Sequence, residues 1–247
     1  MNSEEYENLA HVELHHWYYQ GKRQIVVHWL KKMRALAPGR LLVDCGGGTG
    51  TFAREVGRFC NALLIDDHDE SLSLAMEKLG PHRVKKGSCT QIPLANQQAD
   101  SITALDVLEH VEDDRQAVLE FARILKPGGV LVVTVPACQA LWSDWDVCLH
   151  HHRRYSKNSL QALLQHENLE VIHLNYINVV AFPAILLLRK ISALRNKTSA
   201  ASARRMEDRI PPAWLNWTLR QAFVLPACQT LLHFPIGVGL LAVVRRR

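Results

Sequence analysis

Short apolar runs alternate with amphipathic stretches along most of the chain, the pattern of a parallel sheet covered by helices on both faces. Leu41-Leu42-Val43 reads as a first strand and Ala62-Leu63-Leu64-Ile65 as a second, with a weaker third from Arg83 to Lys86. Ser101 to Leu105 and Val130 to Val135 read as the fourth and fifth. Between those two, Val118, Phe121, Ala122 and Leu125 fall on one helical face, with Asp113 placed to cap the helix and Pro127-Gly128-Gly129 to stop it. Leu169 to Tyr176 fits a sixth strand and Gly239 to Val244 a seventh. The pattern predicts a doubly wound α/β fold.

The last two predicted strands are separated by a long insertion. Val179 to Leu188 is strongly apolar but interrupted by Pro183, and is too short to cross a bilayer. Arg195 to Arg209 is basic and rich in Ala and Ser, while Phe223 to Gly239 is apolar again but broken by Pro226, Gln229, His233 and Pro235. A long excursion between strands is usually functional. It predicts a mobile lid carrying Pro183, Pro211, Pro212 and Pro226, with Trp214 and Trp217 three apart on one helix face; a permanent helical layer is the alternative. The expected organisation is one domain: a helical cap over 1–36, a core over 37–177, the insertion over 178–236, and a last strand with a basic tail over 237–247.

Charge sharpens this division. The formal net charge of +5 comes from 29 Lys/Arg and 24 Asp/Glu. From Arg189 onward there are eleven basic residues against two acids, leaving eighteen against twenty-two in the first 188 residues. A basic excess confined to the C-terminal quarter argues against a nucleic-acid surface and offers peripheral contact with an anionic membrane. The acidic, polar opening Met1 to Glu7 lacks the basic start and apolar run of a secretory signal, which predicts a cytoplasmic protein. Six cysteines without a C-x-x-C pair suit reduced core thiols.

The strongest local signal is Val43-Asp44-Cys45-Gly46-Gly47-Gly48-Thr49-Gly50, directly after the first strand. Glycines at 46, 48 and 50 let the backbone turn tightly and approach a bulky ligand. Asp66 follows at the end of the next strand, where a carboxylate can accept both hydroxyls of a ribose. The G-x-G-x-G spacing departs from the G-x-G-x-x-G of dinucleotide enzymes and disfavours nucleotide-dependent dehydrogenation.

With this loop, Asp106-Val107-Leu108-Glu109-His110-Val111-Glu112-Asp113 and Leu125-Lys126-Pro127-Gly128-Gly129, the chain resembles the class I S-adenosylmethionine-dependent methyltransferases. The resemblance implies a Rossmann-like, seven-stranded, mostly parallel sheet. It implies S-adenosylmethionine as cofactor, with Asp44 orienting the loop and the methionine ammonium, Gly46, Gly48 and Gly50 along the methionine part, Asp66 on the ribose and Asp106 beside the sulfonium end. Relatives often carry Asp where Ser88 stands, so the Ser88 hydroxyl and the Cys89 amide are the substitutes toward adenine. Two further segments, Glu13 to Arg23 and Leu141 to Asp146 with His151 to Ser156, are similar to a narrower bacterial subgroup. There the N-terminal helix closes over the cofactor, which brings in Tyr18 and Arg23. The segment after the fifth strand lines the acceptor pocket, which brings in Trp142, Trp145, Arg153, Arg154 and Tyr155, with Trp17 from the lid.

Methyl transfer is an in-line displacement, so positioning and exclusion of water supply much of the acceleration. A hydroxyl acceptor must also lose its proton, a task for histidine near neutral pH. His151 with Asp146 is the first candidate for a base and its orienting carboxylate, His110 the second, His15 or His16 the third. Arg153 and Arg154 could grip an anion, or serve as salt-bridged arginines ahead of a helix capped by Ser156. His11 and His15 at i, i+4 lack the carboxylate and third ligand of a specific metal site, and no metal is expected there or at His150-His151-His152. The leading function is methylation of a small molecule at oxygen. Methylation of a lipid-linked acceptor and a non-catalytic cofactor-binding module are the alternatives; oligomeric state and acceptor identity are not legible.

Overall fold

A computed structural model of the chain describes residues 12–195 and 209–247. After a helical turn over 12–15, the elements run α1 (Trp17–Lys32), β1 (Leu41–Cys45), α2 (Thr51–Val56), β2 (Asn61–Asp66), α3 (Asp69–Leu79) and β3 (Val84–Lys86). They continue β4 (Ala99–Leu105), α4 (Asp114–Ile124), β5 (Leu125–Pro136), α5 (Asp144–Cys148), α6 (Lys157–Leu163), β6 (Leu169–Ile177), α7 (Phe182–Arg195), α8 (Ala213–Ala227) and β7 (Gly239–Arg246). The seven strands lie in the order β3-β2-β1-β4-β5-β7-β6. β7 runs antiparallel to both neighbours, and every other pair is parallel.

The long buried stretches of β1, β2, β4 and β5 reflect cover on both faces of the sheet. One face packs against α4 and α6 through Val118, Phe121, Leu160 and Leu164. The other lies under α1, α2, α3 and α8, through Ile25, Trp29, Phe52, Leu72 and Phe223. Between β1 and β4 the chain order reverses, so the loops leaving these strands part and open a crevice at their carboxyl ends.

Asp113 caps α4 as expected, its side chain accepting from the Gln116 amide. The Pro-Gly-Gly stop is corrected: α4 ends at Ile124, Leu125 already pairs with Ala99, and Pro127 to Gly129 lie within the irregular start of β5. Pro127 disfavours helical backbone at Lys126, and Gly128 takes a left-handed φ of 77° before regular pairing resumes at Val130. The third strand begins one residue later than expected because Pro81–Arg83 forms a 3₁₀ turn.

Over α8 the insertion packs as a layer upon α1. Trp29 donates its indole N–H to the Ala227 carbonyl at 3.0 Å, and Asn216 bonds both the Trp17 amide and the His15 carbonyl at 2.8 Å. Phe223 stacks on Tyr18 at 5.6 Å and sits where a Cβ on Gly21 would collide with it at 2.7 Å. Trp214 and Trp217, three apart on α8, are 71% and 57% exposed. The basic tract over 196–208, where the lid was expected to open, lies outside the described residues, as do 1–11 with His11. Among the described residues no helix is long and apolar enough to cross a membrane.

Phe223, 2% exposed, joins the insertion to the core. Phe223→Ala is expected to cost about 3–5 kcal/mol, read as a lowered urea midpoint with unchanged m. A cost below about 1 kcal/mol would mean that α8 does not hold α1.

Candidate active site

The loop after β1 turns through left-handed φ at Gly46 (65°) and Gly48 (53°). A Cβ on Gly46 would strike Val107 at 2.6 Å, whereas one on Gly48 would meet nothing within 4 Å. Gly46 is therefore required by packing, and Gly48 keeps a cradle open. Beneath it, Asp44 is 2% exposed; its Oδ1 accepts the Thr103 hydroxyl at 2.7 Å, and its Oδ2 has no partner. Burial, with Asp66 nearby and against the Thr103 bond, pushes the Asp44 carboxyl up to about 7. Asp66 is held by its own neighbourhood, accepting from the Gly48 and His68 amides and the Ser71 hydroxyl. Ser88 is bonded to Thr90 at 2.9 Å, and Cys89 is buried against Cys45.

Asp106, at the end of β4, adopts a φ of 55°, which turns its carboxylate across the crevice. One oxygen accepts the Thr134 hydroxyl; the other takes the Lys22 ammonium and faces the Tyr18 hydroxyl at 3.5 Å. Burial opposes charge on Lys22, but Asp106 more than offsets it and holds the ammonium well above its usual range. Burial and then Asp106 push the Tyr18 phenol up to about 12. Lys22 also lies over the Tyr18 ring at 4.4 Å, a cation–π contact. Sequence reading passed over Lys22; its one signal was the i, i+4 spacing from Tyr18 on the same helix face.

Arg23 points elsewhere, bonding Glu55 at 2.9 Å and the Glu13 carbonyl at 2.7 Å. The Glu13 carboxylate reaches over the glycine loop to the Thr49 and Thr51 hydroxyls, so the segment before α1 does close on the loop, through a residue not singled out.

On the acceptor side Ser143 and Asp146 form a capping box for α5, and Asp146 is fully buried. Its Oδ1 pairs with His151 Nδ1 at 2.9 Å and with Arg154 Nε at 2.7 Å. Burial alone would raise this carboxyl, but the bonds from His151 and Arg154 hold it below the usual range. The His110 and His151 rings meet edge-on at 4.6 Å, and burial followed by the His151 charge lowers His110 to about 4.

The structure thus brings His151, Asp146, His110 and Asp106 to one corner. Trp17 packs edge-on against Tyr18 and Phe223, while Trp142 and Trp145 are half-buried around α5. Arg153 pairs with Asp114 at 2.7 Å and with the Glu112 carbonyl. Arg154 is spent on Asp146 and the Ala137 carbonyl, and Tyr155 on Asp114 and the Leu108 carbonyl. All three have protein partners; Arg153 and Arg154 form the ion pairs of the second reading of the sequence, ahead of α6, which Ser156 caps.

Residues 43–133 match the family described as a methyltransferase domain. An S-adenosylmethionine-dependent methyltransferase from Mycolicibacterium smegmatis is 26% identical over 162 residues, 64% of this chain and 61% of that protein. A ubiquinone/menaquinone biosynthesis C-methyltransferase from Caulobacter is 29% identical over 126 residues, 44% of this chain and 50% of that one. These matches span about half to three fifths of the relatives' lengths. In structure the chain is similar to an S-adenosylmethionine-dependent methyltransferase from Thermotoga maritima, with a TM-score of 0.62 and 17% identity, covering 99% of this chain and 96% of that one. Residues 43–133 thus carry a methyltransferase-domain match, on a fold similar to that of S-adenosylmethionine-dependent methyltransferases.

Proposed function

We propose that the chain transfers the methyl group of S-adenosylmethionine to a hydroxyl of a small-molecule acceptor. One observation carries the reading. An unpartnered buried carboxylate beneath an open glycine cradle and a carboxylate-oriented imidazole flank the same crevice. S-adenosylmethionine, when bound, supplies an electrophilic methyl on a sulfonium. The residues present fit it: Asp44 Oδ2 has a free acceptor site for an ammonium, and Gly48 leaves room for the chain that follows. Asp66 keeps unused lone pairs for hydroxyls beyond its three protein bonds. Asp106 and Tyr18 close the sulfonium end, where Lys22 keeps the carboxylate ionised. Asp146 fixes the proton of His151 on Nδ1, leaving Nε2 to receive the acceptor's proton. That arrangement favours an enzyme over a passive cofactor-binding module.

A second reading, a lipid-linked acceptor, is favoured by the surface of the insertion. Trp214, Trp217, Leu225, Leu231 and Leu232 are all at least half exposed, Leu231 at 90%. In sequence they follow the tract holding Lys197, Arg204, Arg205 and Arg209. Apolar and basic residues together suit an anionic lipid surface.

Cofactor binding should carry a proton signature. In the free chain Asp44 is protonated below about pH 7; a bound ammonium favours its ionised form, so affinity should rise with pH and protons be released. Calorimetry should show affinity growing by up to ~100-fold between about pH 5 and 8. Asp44→Asn should weaken binding and flatten that slope, whereas a slope unchanged by the substitution would remove Asp44 from the site.

Methyl-tritiated S-adenosylmethionine, incubated with the protein and cell extract, reads the transfer itself. Label in water-soluble products supports the first reading, label in the lipid phase the second, and label in neither contradicts methyl transfer. His151→Ala should lower incorporation by about 10²–10⁴-fold while leaving cofactor affinity intact.

A further inference from the structure

Glu109 is fully buried, and neither of its carboxylate oxygens has a hydrogen-bond partner. Such a group is costly to leave alone. Two imidazoles stand beside it: one ligand atom from each of Glu109, His110 and His151 lies within 4.8 Å of the others. Both rings are already oriented. His151 points its Nδ1 at Asp146, which leaves the Nε2 lone pair free, and His110 is tied to the Leu149 backbone. A carboxylate behind a histidine is the usual outer support of a metal-ligating imidazole, fixing its tautomer and raising its basicity. Asp146 is fixed in turn by Arg154 and by the Ser143 amide.

From this arrangement we infer that Glu109, His110 and His151 form a binding site for a divalent transition-metal cation. Two imidazoles and one carboxylate match the nitrogen and oxygen preference of zinc, iron(II) and manganese, and leave coordination positions open for water or an acceptor. The cation gives the orphaned carboxylate a partner through the oxygen that lies near the two imidazoles. No local motif marks this site, because Glu109 and His151 are 42 residues apart in the chain.

The consequence for chemistry rests on the methyl-transfer reading; the binding does not. In the metal-loaded chain the Nε2 lone pair of His151 belongs to the cation. An acceptor hydroxyl on an open position then loses its proton to solvent, and the cation holds the resulting oxyanion. His151 acts as the base only in the metal-free chain.

The test uses metal-free full-length protein, with neither cofactor nor acceptor, titrated with zinc chloride in a calorimeter and followed by thermal melting. One zinc per chain should bind and raise the melting temperature. Glu109→Gln should melt at or above the metal-free parent, because it removes an unpaired buried acid, yet lose at least 100-fold in zinc affinity. Asp146→Asn, which acts through His151, should lose about 10–100-fold. No zinc binding by the folded parent would overturn the site, as would binding that survives Glu109→Gln and reports only exposed histidines elsewhere. Either result leaves the methyl-transfer reading standing, since tritium transfer is measured separately.

Discussion

Burying negative charge at the carboxyl edge of a parallel sheet is the constraint on which the rest of this structure turns. Besides Asp66, which its own loop satisfies, four carboxylates gather there, with Asp44, Glu109 and Asp146 buried and Asp106 partly exposed, and each meets the cost of desolvation differently. Asp106 is matched by Lys22 and Asp146 by Arg154 with His151, and both are held ionised. Asp44 keeps one hydroxyl bond and stays protonated to about pH 7. Glu109 has no side-chain hydrogen-bond partner. Two of the four are balanced within the chain. The other two are the places where a cationic ligand gains most.

This constraint explains architecture away from the strands. Lys22 can reach Asp106 only if α1 lies across the sheet, and α1 is fastened there by α8 through Asn216, Phe223 and the Ala227 carbonyl. The insertion between β6 and β7 thus works at a distance, setting the helix that supplies the counter-ion. Likewise Arg153 and Tyr155 converge on Asp114 at the start of α4, which fixes the course of the segment carrying His151. Residues that resemble a ligand-binding set in sequence serve here to position their neighbours.

The sheet was legible because burial on both faces forces runs such as Leu41 to Val43 and Val130 to Val135 to be apolar, and because left-handed turns favour glycine. The boundary at Ile124 was not, since Leu125 belongs equally to the helical face and to the following strand. Asp66 was read from its place at the end of a strand and Asp44 and Asp106 only through the family resemblance, and the partners of all three were not legible. Lys22 and Glu13 act through contacts 84 and 36 residues away and Glu109 through the lack of a side-chain partner, and neither leaves a local pattern. The same holds for Trp214 and Trp217: the three-residue spacing marks a helix face but not whether another layer covers it.

The central claim is that the cradle at Gly48 receives S-adenosylmethionine, and one substitution tests it most directly. Gly48 has a φ of 53° and open space where a Cβ would stand. Asn tolerates that backbone region, so Gly48→Asn should keep the fold while its side chain fills the cradle. Equilibrium dialysis with radiolabelled S-adenosylmethionine should show one site per chain in the parent and none in Gly48→Asn, at nearly equal melting temperatures. A folded Gly48→Asn protein that binds the cofactor as tightly as the parent would contradict the account.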